Sequence, residues 1–64
     1  MEMIKIYSHE IEELLRVRNN LVTLQEYKWI ALSPQVVHIK YENEEFKIKT
    51  SDGYTFKLKI YKES

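Results

Sequence analysis

The C-terminal half of the chain alternates between apolar and polar residues over three consecutive segments. The first alternation begins at Val37, and the second and third cover residues 45–50 and 54–61. A period of two is the spacing at which side chains appear on opposite faces of a strand. The sequence therefore predicts an antiparallel β-meander over about residues 36–61, with one buried face and one face in solvent.

The pairing of these strands follows from the requirement that partners across a sheet share a face. In the first hairpin, Tyr41 opposite Phe46 keeps the apolar residues together. In the second, a two-residue Asp52-Gly53 loop mixes the faces, whereas a three-residue loop that includes Ser51 does not. The predicted buried rows are Tyr41 with Phe46 and Leu58, Ile39 with Ile48 and Phe56, and Val37 with Thr50 and Tyr54. The predicted solvent-facing rows are Glu42 with Glu45 and Lys59, Lys40 with Lys47 and Lys57, and His38 with Lys49 and Thr55.

A helix is predicted for residues 9–18, because apolar residues recur there at helical spacing. The apolar stripe of this helix consists of Ile11, Leu14 and Leu15. Ser8 is a favourable N-cap residue, and Asn19 follows as a residue type that commonly ends helices. Ahead of the helix, residues 2–7 alternate as a short strand would.

Residues 21–32 fit two different elements. Thr23 and Glu26 have the spacing of a capping box, which favours a second short helix. Residues 27–31 also alternate as in a strand and are rich in residues that favour strands. The predicted order is therefore β-α-(α or β)-β-β-β, an α+β fold in which the meander packs on the helix of residues 9–18.

The length of 64 residues allows one domain, residues 1–64. A domain of this size is marginally stable alone, so a partner or a second copy that covers apolar surface would help it. Cysteine is absent, which excludes disulfides and fits a reducing compartment. No apolar run approaches the ~20 residues of a membrane span, and the N-terminus lacks the order of a signal peptide. We expect a cytoplasmic protein without membrane contact.

Ten basic residues balance ten acidic residues, so the net charge is zero. This balance argues against a uniformly basic nucleic-acid binder, but it allows a segregated basic face. A lysine row directly across three strands is destabilising, and it creates a positive patch that phosphates or an acidic partner would neutralise. Solvated lysine stems that spread apart are the ordinary explanation of such a face. The residues predicted for the anion-binding face are Lys40, Lys47, Lys49, Lys57, Lys59, His38 and Tyr61.

The aromatic residues of the meander fall mostly on its buried side, so the lysine face has few rings on which bases could stack. Trp29 and Tyr27 have no fixed place in the predicted core. If exposed, both are predicted anchors for a partner. If residues 21–32 cover the sheet, Trp29 belongs to the core, and a domain this small favours that placement.

The chain shows no constellation typical of catalysis or of a metal or cofactor site. On a helix, His9 meets Glu12 or Glu13, but no further ligand completes a metal site. Asp52 has a turn role, and Gly53 is the only glycine, so a glycine-rich phosphate loop is excluded. We therefore predict no catalytic, cofactor-binding or metal-binding residues.

These features favour a small non-enzymatic interaction or regulatory protein that binds a protein partner or a second copy of itself. The alternative is a nucleic-acid-binding protein that uses the lysine face.

Lys, Ile and Tyr are abundant and Ala and Arg are scarce. This bias follows AT-rich codons, so the expected source is a phage or mobile element of an AT-rich bacterium. No motif assigns an activity to the chain.

Overall fold

Four strands form one mixed sheet in the structure, a computed structural model that describes residues 5–62. The elements in chain order are α1 (Ser8–Val17), β1 (Leu21–Val22), α2 (Leu24–Ala31), β2 (Val36–Glu42), β3 (Glu45–Thr50) and β4 (Thr55–Ile60). The strand order is β1-β4-β3-β2, with β1 parallel to β4 and the other neighbours antiparallel. The predicted α+β fold with a C-terminal meander packed on an N-terminal helix is confirmed.

The predicted register of the meander is confirmed over most of its length. The paired rows are Tyr41 with Phe46 and Leu58, Ile39 with Ile48 and Phe56, Lys40 with Lys47 and Lys57, and His38 with Lys49 and Thr55. Glu42 also pairs with Glu45 as predicted. A slip by one residue would move every apolar side chain to the solvent face, so the burial of one face fixes the register.

The predicted row of Val37 with Thr50 is wrong. Val36 pairs with Thr50, and the register shifts between Val36 and His38. Val37 is therefore the extra residue of a β-bulge, and its side chain is 65% exposed. Strict alternation of apolar residues gives no signal for an inserted residue, which is why the sequence pattern placed Val37 in the core.

Residues with positive φ form both turns of the meander. Asn43 (φ 55°) and Glu44 (φ 64°) are the two central residues of the β2–β3 hairpin, as a type I′ turn requires. In the β3–β4 hairpin, Gly53 has φ 96° and its N–H donates to the Thr50 carbonyl. The Thr50 N–H in turn donates to the Tyr54 carbonyl, so the predicted three-residue loop is confirmed.

Helix α1 begins one residue earlier than predicted. Tyr7 is the N-cap, and its N–H donates to Glu10 Oε1 at 3.0 Å, so Ser8 is the first helical residue rather than the predicted cap. The strand predicted for residues 2–7 is not present in its described part, because residues 5–7 have no regular secondary structure. Residues 2–4 lie outside the described residues.

The end of α1 confirms the stop that Asn19 predicts. Both asparagines that follow the helix have left-handed backbones, with φ 56° at Asn19 and 63° at Asn20. The Asn20 N–H donates to the Leu15 carbonyl at 2.8 Å, and the Asn19 N–H donates to Arg16 at 3.2 Å. These two bonds form a Schellman motif, which satisfies carbonyls that the helix itself leaves free.

The helix alternative for residues 21–32 is confirmed by α2 (Leu24–Ala31), and the strand alternative over residues 27–31 is wrong. Thr23 caps α2 through a reciprocal pair of bonds: its hydroxyl accepts the Glu26 N–H at 3.1 Å, and Glu26 Oε1 accepts the Thr23 N–H at 2.9 Å. Ahead of this cap, β1 adds to the sheet edge. The Lys59 N–H donates to the Asn20 carbonyl at 2.8 Å, and the Tyr61 N–H donates to the Val22 carbonyl at 2.6 Å.

The core lies between the two helices and one face of the sheet. Its buried apolar residues are Ile11, Leu15, Val22, Ile30, Ile48, Phe56 and Leu58. Full burial of an aliphatic side chain contributes about 2 kcal/mol, so this cluster is the main favourable contribution to folding. Trp29 is partly buried and lies outside the cluster, which corrects its prediction as a core residue.

Glu26 gives a pH-dependent test of the α2 cap. Glu26 is 5% exposed, and its Oε2 accepts bonds from Arg18 Nε at 2.9 Å and from Nη2 at 2.8 Å. The Thr23 N–H, helped by Arg18, lowers the pKa of Glu26 although burial opposes this. Glu26→Gln should therefore reduce the free energy of unfolding at neutral pH by about 1 kcal/mol.

The sign of the pH dependence follows from the lowered pKa. The contribution of Glu26 is complete above its ordinary pKa of 4.5 and is lost as the pH falls through the folded-state pKa. Urea unfolding at decreasing pH should show the difference between wild type and Glu26→Gln shrinking below pH 4.5. Glu13→Gln, at an exposed ion pair with Arg16, is the control and should change little. A difference for Glu26→Gln that stayed constant with pH would contradict this account.

Candidate functional site

The predicted lysine face is present and uncovered. Both helices pack on the face that carries Ile48 and Leu58, so within the described residues nothing covers the opposite face. Lys40, Lys47 and Lys57 lie directly opposite one another on β2, β3 and β4. Three adjacent ammonium groups in one row repel one another, and this repulsion is relieved only by counter-charges or by solvent.

Glu42 supplies part of that counter-charge. Its carboxylate lies 3.0 Å from the ammonium group of Lys47 and 3.4 Å from that of Lys40. The hydrogen bonds from Lys47 and then from Lys40 lower the pKa of Glu42. One carboxylate thus bridges two members of the lysine row, which leaves Lys57 as the member without this counter-charge.

Three lysines of this face have no counter-charge in the part of the chain that the structure describes. In residues 5–62, no carboxylate lies within 4.0 Å of the ammonium groups of Lys49, Lys57 or Lys59. Glu12 of α1 lines a shallow hollow with Lys57 but forms no ion pair with it. A protein of zero net charge therefore has one positive face.

The two remaining predicted members of the lysine face lie at its margins. His38 is exposed on β2 and pairs with Lys49. Tyr61 follows β4, is 52% exposed and lines a hollow with Thr23 and Leu24 at the start of α2. Tyr61 is thus placed beside an apolar part of the surface, and the lysine row itself contains no aromatic side chain.

A second surface lies at the end of the sheet where β4 finishes. Two shallow hollows meet there, and Ile60 lines both of them. We name the apolar residues that line these hollows the apolar end surface. They are Leu21, Leu24, Tyr41, Phe46, Ile60 and Tyr61. Ile60 is the residue that the two hollows share.

Four members of the apolar end surface are exposed. The exposed fractions are 61% for Tyr41, 54% for Leu24, 52% for Tyr61 and 43% for Leu21. The hollow that contains Leu21 and Tyr41 is also lined by the charged side chains of Glu44, Lys59 and Lys62. An apolar centre with a polar rim is the usual composition of a protein–protein contact surface.

The two predicted aromatic anchors occupy different environments. Tyr27 is partly buried and packs on the core, with its ring centroid 4.5 Å from that of Phe46. Phe46 in turn lies 4.7 Å from Tyr41, so Tyr27 supports the apolar end surface from within. Trp29 is partly exposed and does not line the hollows of that surface.

A polar cluster ties the start of α1 to the β3–β4 turn. The buried hydroxyl of Ser8 donates to Asp52 Oδ1 at 2.7 Å, and the Thr50 hydroxyl donates to the same oxygen. Gln35 joins them, since its Oε1 accepts the Ser8 N–H at 2.7 Å and its Nε2 donates to Asp52 Oδ2 at 3.3 Å. Hydrogen bonds from Thr50 and Ser8 lower the pKa of Asp52.

This cluster connects the start of α1 to the β3–β4 turn through hydrogen bonds. Asp52 accepts bonds from both hydroxyls, and neither His9 nor His38 contributes a base to Ser8. Among residues 5–62, no group of three His, Asp or Glu side chains is arranged to hold a metal ion. In the same part of the chain, neither helix combines the length and the apolar character needed to cross a bilayer.

Sequence reasoning missed the bridging role of Glu42 and the apolar end surface. Glu42 lies two residues after Lys40 on the same strand, so the period of two already places both side chains on one face. The apolar end surface had no such signal. Leu21 and Ile60 come together only through the pairing of β1 with β4.

Comparisons with known proteins place the chain in no family. No protein-family model matches it, no curated protein matches it, and no solved structure matches it. The assignment of a function therefore depends on the geometry of the two surfaces described above.

The role of the polar cluster is testable at Ser8. Ser8→Ala removes a buried hydrogen bond and should reduce the free energy of unfolding by about 1 kcal/mol. In a domain of this size, such a loss lowers the midpoint of thermal unfolding by about 4–8 °C. Ser51→Ala is the control, because Ser51 is exposed and contacts Gln35 through its backbone N–H. Equal midpoints for Ser8→Ala and wild type would show that the cluster does not stabilise the fold.

Proposed function

We propose that this protein is a small non-enzymatic interaction protein that binds another protein chain through the apolar end surface. The observation that carries the proposal is that exposed apolar side chains line two hollows that share Ile60. Leu24 and Tyr61 line one hollow, Leu21 and Tyr41 line the other, and Ile60 belongs to both. Exposed apolar residues that occur singly are normal, whereas apolar residues grouped around hollows with a charged rim are typical of a contact site.

The elements that form this surface favour binding without large rearrangement. Tyr41 is supported by Phe46, and Phe46 is supported by Tyr27, so the aromatic part is held by ring contacts at 4.7 Å and 4.5 Å. Aromatic side chains that are already ordered lose little conformational entropy on binding. Tyrosine is also among the residues that contribute most to binding energy at protein interfaces.

The experiment compares two exposed leucines at opposite ends of α2. Leu24 is 54% exposed within the apolar end surface, and Leu32 is 66% exposed outside it. Leu24→Glu should abolish capture of the partner by tagged protein in cells that make it naturally, because a carboxylate replaces an apolar contact. The fold should be retained, since a glutamate in the first turn of a helix is favourable.

Leu32→Glu is the matched control, because it makes the same substitution at a similarly exposed position. It should capture the same partner as the wild type. Quantitative mass spectrometry of the captured proteins compares the three chains, and circular dichroism verifies their folds. The proposal is wrong if Leu24→Glu and Leu32→Glu retain identical sets of proteins.

A second candidate function is the binding of nucleic-acid phosphates by the lysine face. The specific observation in its favour is that Lys49, Lys57 and Lys59 share an uncovered face and have no counter-charge within residues 5–62. Phosphate contacts of lysine are salt-dependent and carry no sequence information. The absence of rings in the lysine row favours backbone contacts over base stacking.

Fluorescence anisotropy of labelled DNA and RNA tests this candidate at low and at physiological salt. Binding should weaken as salt increases, and Lys57→Glu should weaken it and reduce the salt slope by about 1 or more. Glu42→Gln should strengthen binding, because it frees the ammonium groups of Lys40 and Lys47. These opposite effects distinguish a phosphate site from a general loss of stability.

Lys28→Glu is the control for net charge, because it makes the same charge change on α2, away from the sheet face. It should leave the salt slope unchanged. Absence of binding at low salt, or equal effects of Lys57→Glu and Lys28→Glu, would show that the lysine face is merely solvated.

A further inference from the structure

We propose that the partner of the apolar end surface is a second copy of this chain, related by a two-fold axis that passes close to Ile60 and Phe46. This inference rests on the proposed function, because it uses the same surface. A two-fold contact requires a self-complementary patch, in which one residue of the first copy meets a different residue of the second copy and the same pair forms again on the other side of the axis. The arrangement of charges around Ile60 meets that requirement.

The strand order fixes where these charges lie. Lys59 and Lys62 belong to β4 and its extension, which lie towards β1 and Leu21. Glu44 belongs to the β2–β3 turn, which lies towards Tyr41 on the other side of the hollow. The cations of the hollow therefore lie on β4 and its extension, and its anion lies on the turn that leads into the neighbouring strand β3.

A two-fold rotation exchanges the two sides of this hollow. It places the positive side of one copy over the negative side of the other, so that Lys62 faces the partner copy's Glu44 twice in the dimer. Within residues 5–62, neither Lys62 nor Glu44 has an ion-pair partner of its own. Both charges are therefore available for contacts between copies.

Two general properties of the chain also favour a second copy. The net charge is zero, so two copies approach without overall electrostatic repulsion. A domain of 64 residues buries a smaller share of its surface than a larger domain, so covering exposed Tyr41, Leu24 and Leu21 adds a stabilising contribution that the monomer lacks.

Sedimentation equilibrium from micromolar to submillimolar concentrations tests the inference by charge reversal. The wild type should form dimers. Glu44→Lys alone and Lys62→Glu alone should each raise the dimer dissociation constant by about tenfold or more, because two repulsive pairs replace two attractive ones. An equimolar mixture of the two variants should form mixed dimers, and the double variant should recover the wild-type constant, since both arrangements restore opposite charges across the axis.

Glu13→Lys and Lys28→Glu are the controls, because they make the same net charge changes outside the apolar end surface. Neither control should change dimer formation by more than about twofold. A wild type that stays monomeric overturns the inference, and so does a dimer that is insensitive to Glu44→Lys or is not recovered in the double variant. If a monomeric wild type still loses a captured protein in Leu24→Glu, the proposed function stands and only the second copy is wrong.

Discussion

The burial of only one face of the sheet is the constraint on which the rest of this structure depends. Within residues 5–62, two short helices cover a four-stranded sheet, and both pack on the face of Ile48, Phe56 and Leu58. The opposite face must then be polar along its whole length, because exposed apolar rows would associate. The polar character of the lysine face therefore follows from the burial of the other face of the sheet, whether or not the lysine face also binds a ligand.

The same constraint explains why the sequence predicted the meander so well. One buried face requires strict alternation, and a slip by one residue in the pairing of β2 with β3 would expose Ile39 and bury Lys40. The loop lengths and the rows of paired residues, except the row assigned to Val37, therefore followed from the sequence. The helix of residues 9–18 was predicted to within one residue at each end, because its apolar stripe covers that face.

Features that depend on distant parts of the chain were not predictable. The strand β1 has two residues, which is too few for any periodicity, and its partner β4 lies more than thirty positions away. Ser8 has the residue type of an N-cap, yet its hydroxyl is taken by Asp52 on the far hairpin, so Tyr7 becomes the cap. The β-bulge at Val37 likewise does not interrupt the alternation of apolar and polar residues in the sequence, so the alternation does not reveal it. For the same reason, the six residues of the apolar end surface could not be grouped from sequence alone.

The two candidate surfaces share Lys59. This residue lies on the lysine face opposite Leu21, and it also lines the hollow that contains Tyr41 and Ile60. A second copy on the apolar end surface would therefore compete with a polyanion for Lys59, but not for Lys49 or Lys57, which do not line that hollow. Competition for one cation among several weakens binding without abolishing it. Because coupling between two sites is reciprocal, a polyanion would weaken self-association by the same factor by which self-association weakens polyanion binding.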